Sequence, residues 1–206
     1  MIYKIICAGV NTLKEAYQKD DNEYIIAVDG GYDYAKELNL KVDYFVGDLD
    51  SSNLNKDEIE KIDHNFYKSE KDETDFELAL KYIFEHYREE DKIIVYNATG
   101  GRLDHYEGAL RLVKKYYKYD IVLKDDLNEI FVLDFWKNNS YKLKKDEYQY
   151  ISFFNVYENT RITLKGFKYE LDDYSMFFND YLCISNEIIE EGIVSSNKNL
   201  IVVKSK

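Results

Sequence analysis

The fold is decided by residues 74–124, which read TDFELALKYIFEHYREEDKIIVYNATGGRLDHYEGALRLVKKYYKYDIVLK. Over Thr74–Glu89 the apolar residues recur at the spacing of one helix face, and Asp104–Tyr117 repeats the pattern. The segments Lys92–Asn97 and Asp120–Leu123 are instead short apolar runs, typical of buried strands. Helices that alternate with such strands predict an α/β fold with a doubly wound, mostly parallel sheet.

This alternation extends toward the N-terminus and ends near residue 125. Further strands are predicted at Ile2–Ala8, Tyr24–Val28, Tyr44–Val46 and Asn65–Lys68. After Asp126 the helical period disappears, and short β-rich segments follow at Glu129–Asp134, Tyr141–Leu143, Tyr148–Phe154, Arg161–Lys165, Leu182–Ser185, Ile188–Val194 and Asn199–Val203. Many short strands in so few residues indicate an all-β sandwich or small barrel, and we predict the sandwich. The predicted domains are residues 1–124 and residues 125–206.

The composition narrows the classes of function. The 206 residues include 28 Lys and Arg against 40 Asp and Glu, a net charge of −12, which argues against nucleic-acid binding. No apolar run is long enough to cross a membrane, and the apolar N-terminal stretch is too short for a signal peptide. Cys7 and Cys183 lie in apolar runs without metal-ligand spacing. We predict buried thiols and a cytoplasmic location.

Two polar segments follow predicted strands, where open α/β sheets bind their ligands. In Asp29–Gly31, paired glycines permit close approach of a ligand to the backbone, although the same tripeptide is also an ordinary turn. In Gly47–Ser51, GDLDS, two carboxylates two residues apart can converge on one hard cation such as Mg²⁺. A solvated turn in an acidic protein is the competing interpretation.

Two further segments open the long helices. Lys71–Asp75 contains Thr74 at capping-box spacing from Glu77, and it places Asp75 in the first helical turn. Helix-end electrostatics alone can explain Asp75, but it also supplies a third carboxylate at the same sheet edge. In Thr99–His105 the paired glycines and Arg102 suit phosphate, whereas its Asp104 can be a simple N-cap.

Taken together, these segments resemble the ordered motifs of the thiamine pyrophosphokinase family. The matching segments are Asp29–Gly31, Val46–Ser51, Lys71–Phe76, Gly100–His105, Leu164–Tyr169 and Ile184–Glu187, in a resemblance that extends over residues 1–203. Each motif is short, but six in this order are specific. The sequence departs from the family pattern at Val42, Leu49 and Glu170, and it matches poorly over Asp172–Tyr181.

The resemblance implies transfer of the pyrophosphoryl group of ATP to the hydroxyl of thiamine, giving thiamine diphosphate and AMP, with Mg²⁺ as cofactor. It implies an ATP- and metal-binding catalytic domain over residues 1–124 and a thiamine-binding and dimerisation domain over residues 125–206. The implied catalytic residues and metal ligands are Asp48, Asp50 and Asp75. The implied ATP site contains Asp29, Gly30, Gly31, Arg102 and Asp104. The other implied substrate-binding residues are Lys71, Asp72, Thr74, Ser185 and Asn186.

A homodimer is also favoured by the supply of large aromatic residues in the β-rich part. A sandwich of this size cannot bury all of them, so some pack on the other domain, remain exposed or meet a second subunit. Two alternative functions stay open. One is a pyrophosphokinase for another heterocyclic alcohol, such as a hydroxymethylpterin, and the other is a non-catalytic nucleotide-sensing module.

Overall fold

The computed structural model describes residues 1–47, 59–66 and 73–206. The chain divides into two units. The first consists of Met1–Leu112 with Tyr119–Asp126, and the second of Val113–Lys118 with Leu127–Lys206.

The first unit is built on a parallel sheet. Its strands are β1 (Ile2–Ile6), β2 (Glu23–Val28), β3 (Tyr44–Gly47), β4 (Asp63–Phe66), β5 (Lys92–Tyr96) and β6 (Ile121–Lys124), in the spatial order β4-β3-β2-β1-β5-β6. Every pairing within this set is parallel. The strand order reverses between β1 and β5, so the predicted doubly wound sheet is confirmed.

Among the described residues, the helices that connect these strands are α1 (Leu13–Ala16), α2 (Gly31–Glu37), α3 (Asp75–Phe84) and α4 (Leu103–Lys115). The helix predicted over Thr74–Glu89 begins as expected but ends at Phe84. Beyond it, turns close on Asp91: the Arg88 N–H donates to Asp91 Oδ2 at 2.8 Å, and the Tyr87 hydroxyl donates to Asp91 O at 2.8 Å. These turns lead directly into β5.

One charged residue lies fully buried in β1. Lys4 Nζ forms ion pairs with Glu23 at 2.6 Å and with Asp20 at 2.8 Å, and it lies 4.3 Å from the centroid of the Tyr17 ring. The Tyr17 hydroxyl in turn donates to Glu23 at 2.8 Å. This network satisfies the ammonium group and fixes the connection from α1 to β2.

The second unit contains two antiparallel groups of strands. Its strands are β7 (Asn128–Leu133), β8 (Ser140–Lys144), β9 (Tyr150–Asn155), β10 (Thr160–Phe167), β11 (Leu171–Met176), β12 (Ile188–Ser196) and β13 (Leu200–Ser205). In one group β13 pairs with β7 and β9, and the other group has the order β11-β10-β12-β8. Buried residues of both groups, including Phe153, Leu164, Phe167, Val194 and Val202, form one core. The predicted sandwich is therefore confirmed.

Two features of the second unit differ from the sequence prediction. The predicted strand Leu182–Ser185 is wrong: Asp180 accepts the Leu182 N–H at 3.0 Å to form a turn, and Ser185 has a φ of +56°. The strand Leu171–Met176 was not predicted. It lies at the edge of its group, where Asp173 binds Arg161 of β10.

In the part of the chain that the structure describes, no helix has the length and apolar character needed to span a membrane.

Candidate active site

The point where the strand order reverses is the expected ligand site of such a sheet, and two loops meet there. A side chain on Gly9, three residues after β1, would overlap the backbone carbonyl of Asn97, which directly follows β5. The Asn97 side chain accepts the Thr12 N–H at 3.1 Å. Glycine at position 9 thus permits close packing of the loops that follow β1 and β5.

Asp29 follows β2 at the same sheet edge. Its backbone has a φ of +49°, and its N–H donates to Val46 O at 3.0 Å. A Cβ atom on Gly47 would overlap Asp29 Oδ1, so the carboxylate of Asp29 lies against the end of β3. Burial, with a smaller contribution from the charge of Asp29, raises the pKa of the nearby Cys7 thiol to about 12. Cys7 is therefore a neutral thiol, not a nucleophile.

The two glycines after Asp29 play different structural roles. A Cβ on Gly31 would overlap the carbonyl oxygen of Ile6, so this glycine allows the start of α2 to pack on the end of β1. A Cβ on Gly30 would meet only Ala8 Cβ at an ordinary 3.5 Å. Sequence reasoning grouped these glycines as one ligand-binding pair, but the requirement for Gly31 follows from packing alone.

Gly100 and Gly101 form a left-handed turn before α4. Their φ angles are +73° and +61°, which residues with a side chain rarely adopt, and Asn97 before them has a φ of +58°. The turn is anchored by Thr99, the residue directly before it, whose hydroxyl donates to Asp125 Oδ2 at 2.5 Å. Asp125 directly follows β6. Sequence reasoning missed Asp125, although its strand-end position is the signal that singled out the other site residues.

Arg102 and Asp104 bind each other. Arg102 Nε donates to Asp104 Oδ1 at 3.2 Å and Arg102 Nη2 donates to Oδ2 at 2.5 Å, and both side chains are exposed. The hydrogen bonds from Arg102, aided by its charge, lower the pKa of Asp104 to about 2. Asp104 therefore stays ionised, and it holds the guanidinium beside the glycine turn.

Helix α3 begins with the N-cap that the spacing of Thr74 and Glu77 predicts. Thr74 is the N-cap, and its hydroxyl accepts the Glu77 N–H at 3.2 Å. Asp75 is the first residue of the helix, where its carboxylate lies at the positive end of the helix dipole.

Four of the predicted site residues lie outside the described residues: Asp48, Asp50, Lys71 and Asp72. Of the three predicted metal ligands, only Asp75 has a described position. Within residues 1–47, 59–66 and 73–206, no three His, Cys, Asp or Glu side chains are grouped to hold one metal ion. The predicted carboxylate set thus stays a prediction.

Ser185 and Asn186 lie in the second unit, and their environments differ sharply. Ser185 is exposed, and its N–H donates to Ser152 Oγ at 3.0 Å. Asn186 is 2% exposed, and its side chain is fully engaged: Oδ1 accepts the Tyr169 N–H at 3.0 Å and Nδ2 donates to Tyr169 O at 2.7 Å. Asn186 thus fixes the backbone of Tyr169, a residue that is 57% exposed.

The described geometry defines a class of protein. In its α/β unit, Asp29, the glycine turn and Arg102 lie at the edge of a parallel sheet that has a topological switch point. In its antiparallel β unit, the exposed residue Tyr169 has its backbone fixed by Asn186. Such a switch point is typical of nucleotide-binding α/β proteins.

Comparison with known proteins specifies the family. The family model "Thiamin pyrophosphokinase, catalytic domain" matches residues 16–124, and "Thiamin pyrophosphokinase, vitamin B1 binding domain" matches residues 140–201. Thiamine pyrophosphokinase of Bacillus subtilis (strain 168) is 33% identical over 194 residues, which cover 89% of this chain and 87% of that protein.

Solved structures agree with this assignment. The thiamine pyrophosphokinase structure from Bacillus subtilis matches with a TM-score of 0.84 at 31% identity, covering 100% of this chain and 99% of that one. The structure from Geobacillus thermodenitrificans matches with a TM-score of 0.85 at 29% identity, covering 100% and 98%. The chain belongs to the thiamin pyrophosphokinase family, which confirms the predicted resemblance and makes it an enzyme.

Proposed function

We propose that the chain transfers the pyrophosphoryl group of ATP to the hydroxyl of thiamine, releasing AMP. The observation that carries this proposal is the set of strand-end turns at the switch point of the sheet, in a chain of this family. The hydroxyl oxygen bonds to the β-phosphorus of ATP and loses its proton. The bond from that phosphorus to the oxygen bridging it to the α-phosphorus breaks, and AMP leaves with the bridging oxygen.

The ATP site in this proposal consists of Asp29, Gly30, Gly31, Arg102 and Asp104. The turn at Gly100 and Gly101 leads into the N-terminus of the 13-residue helix α4, a setting that suits phosphate. Arg102 lies in this turn with its guanidinium already oriented by Asp104. A bound polyphosphate would compete with Asp104 for that guanidinium, since both present pairs of oxygen acceptors.

Magnesium is the proposed cofactor, with Asp48, Asp50 and Asp75 as its ligands. Three carboxylates form a donor set of the hard oxygen type that Mg²⁺ prefers. Asp75 is fixed by a capped helix start, and Asp48 directly follows Gly47 at the end of β3. The bound ion would neutralise polyphosphate charge, which an acidic chain needs before it can hold ATP. We also propose that Lys71, Asp72 and Thr74 take part in substrate binding.

Thiamine binding is assigned to the second unit, through Ser185, Asn186 and Tyr169. Thiamine is a flat cation, so an exposed ring held on a fixed backbone suits it through stacking and cation–π attraction. The ring of Tyr169 already makes a cation–π contact, because Lys168 Nζ lies 5.5 Å from its centroid. In this assignment Asn186 acts by positioning Tyr169, because its own amide is occupied.

A homodimer formed through residues 125–206 remains part of the proposal. Several of the large aromatics in this part are exposed in the single chain: Trp136, Tyr150, Tyr157, Phe177, Phe178 and Tyr181. Exposed large aromatics commonly mark an interface where they form a contiguous patch. We also propose a cytoplasmic location, which agrees with the two free cysteines of the structure.

An acceptor panel tests the proposed function. AMP release from ATP and Mg²⁺ is measured with thiamine, with a hydroxymethylpterin and without acceptor. We expect release to depend on thiamine. Equal or faster release with the pterin would support the alternative acceptor, and nucleotide binding without release in any condition would support a sensing module.

A further inference from the structure

A buried polar pair joins the ends of two neighbouring strands beneath the glycine turn. Strands β5 and β6 are parallel with Tyr96 opposite Lys124. Thr99 follows β5 and Asp125 follows β6, and the Thr99 hydroxyl donates to Asp125 Oδ2 at 2.5 Å. Each residue is only 8% exposed.

Burying this polar pair lowers the stability of the fold relative to an apolar pair, so its presence calls for an explanation. A buried carboxylate loses its hydration, and the hydrogen bond from Thr99 replaces part of it. Two neutral apolar residues at these positions would avoid that cost altogether. Asp125 also raises the pKa of Tyr106 in α4, after the larger effects of burial and of Glu107. The charge of Asp125 therefore acts on Tyr106, in the first turns of the helix that follows the glycine turn.

The turn above the pair needs an anchor. Gly100 and Gly101 both adopt left-handed φ angles, and glycine has more backbone freedom to lose than any other residue. One end of the segment is tied at Asn97, which binds the Thr12 N–H and lies within 3.5 Å of Asn11 Oδ1. Thr99 supplies the second tie, immediately before the glycines.

We propose that Asp125 is a positioning residue for ATP, acting through Thr99 to fix the Gly100–Arg102 turn in its phosphate-binding form. This inference rests on the proposed function. Neither Thr99 nor Asp125 needs to contact the nucleotide. Their hydrogen bond limits the conformations of the turn, so that its N–H groups and Arg102 are aligned before ATP arrives.

The test compares Thr99→Val, Thr99→Ser and Asp125→Asn with the wild-type protein. Thr99→Val keeps the shape of the side chain and removes its donor, whereas Thr99→Ser keeps the donor. Thr160→Val in the second unit is the matched control, since the Thr160 hydroxyl is likewise buried and donates to Tyr157 O at 2.6 Å. ATP affinity is measured by calorimetry with Mg²⁺, together with the KM for each substrate and the melting temperature.

We expect Thr99→Val to weaken ATP binding roughly tenfold, equivalent to about 1.4 kcal/mol, with the KM for thiamine unchanged within twofold. Thr99→Ser should restore ATP binding to within about threefold of wild type, and Asp125→Asn should weaken it several-fold. Thr160→Val should lower the melting temperature without changing ATP affinity. Asp125→Asn supplies the decisive comparison if Thr99→Val does not fold, because it retains an oxygen acceptor.

Unchanged ATP affinity in Thr99→Val and Asp125→Asn, with only the melting temperature lowered, would show that the pair is structural and overturn the inference. This outcome is distinct from failure of the proposed function. If the proposed function is wrong, the wild-type protein itself will bind no ATP or release no AMP with thiamine, and that result would overturn the role of Asp125 as well.

Discussion

Asp29 and Gly47 are in close contact at the ends of neighbouring strands: Asp29 Oδ1 lies so near the position of a Cβ atom on Gly47 that a side chain there would overlap it. The contact brings a carboxylate that follows β2 against the residue that precedes Asp48. It explains why a glycine ends β3, and it connects the proposed ATP site to the segment that carries the proposed metal ligands.

Replacing Gly47 with alanine should therefore impair ATP use more than it impairs folding. The new methyl group would displace the side chain of Asp29, and we expect the KM for ATP to rise roughly tenfold or more, the equivalent of one lost charged contact. Steady-state kinetics with ATP varied, alongside a thermal melt, checks this. A folded Gly47→Ala variant with the KM for ATP within twofold of wild type would contradict the role of Asp29.

Three glycine variants separate packing from binding. Gly31→Ala should lower the free energy of unfolding by about 3 kcal/mol, because its methyl group meets the Ile6 carbonyl in a closely packed region. Gly108→Ala should raise it by about 0.5–1 kcal/mol, since its methyl group on α4 meets nothing within 4 Å and alanine favours helix. Gly30→Ala should leave stability almost unchanged and weaken ATP binding.

Urea unfolding of the three variants, with ATP calorimetry on those that fold, provides the measurement. A stable Gly31→Ala variant would show that the start of α2 can shift away from β1. Full ATP affinity in Gly30→Ala would remove Gly30 from the ATP site.

Asp75→Asn tests the proposed metal site while keeping the shape of the helix start. We expect AMP formation to fall by about a hundredfold or more, because charge stabilisation is the main catalytic contribution in phosphoryl transfer. Glu77→Gln removes a neighbouring charge from the same helical turn and serves as the control. A similar loss in both variants would favour helix-end electrostatics over metal binding, and higher Mg²⁺ should partly rescue Asp75→Asn alone.

Much of this arrangement follows from local sequence patterns, and the remainder depends on contacts between distant residues. The N-cap of α3 at Thr74 and the parallel strands are predictable because capping and periodicity act over a few residues. Strand β11 is not, since its Asp172 and Asp173 disfavour a strand and its pairing with β10 is set by tertiary structure. The bond between Thr99 and Asp125 joins residues 26 positions apart, which no local pattern reveals.

The buried network around Lys4 predicts a pH dependence of stability. Burial acts to raise the pKa of Glu23, but hydrogen bonds from Lys4, the Asp20 N–H and Tyr17 outweigh it and lower the pKa below its ordinary value of 4.5. The contribution of Glu23 to stability is therefore present above pH 4.5 and is lost as the pH falls through the lower pKa of the folded state.

Glu23→Gln should be less stable than wild type at neutral pH, and the difference should shrink as the pH is lowered below 4.5. Denaturant unfolding of the variant and the wild-type protein, at a series of pH values from neutral to below 4.5, measures this difference in stability. A difference that stays constant over this range would mean that the charge of Glu23 does not stabilise the fold.

Tyr169 is predicted to contribute to thiamine binding but not to ATP binding. Removing the ring in Tyr169→Ala should raise the KM for thiamine roughly tenfold, the effect of about 1–2 kcal/mol of cation–π attraction, and leave the KM for ATP within twofold. Tyr169→Phe, which keeps the ring, should behave like wild type. An unchanged KM for thiamine in Tyr169→Ala would assign the thiamine site to other residues.

The central claim is that a pyrophosphoryl group moves from ATP to thiamine in one transfer, and phosphorus NMR of the reaction mixture tests it most directly. With ATP, Mg²⁺, thiamine and the wild-type protein, we predict that thiamine diphosphate and AMP appear together in equal amounts from the earliest time points, without ADP or thiamine monophosphate. Early appearance of ADP with thiamine monophosphate, or loss of ATP without a phosphorylated form of thiamine, would contradict the account.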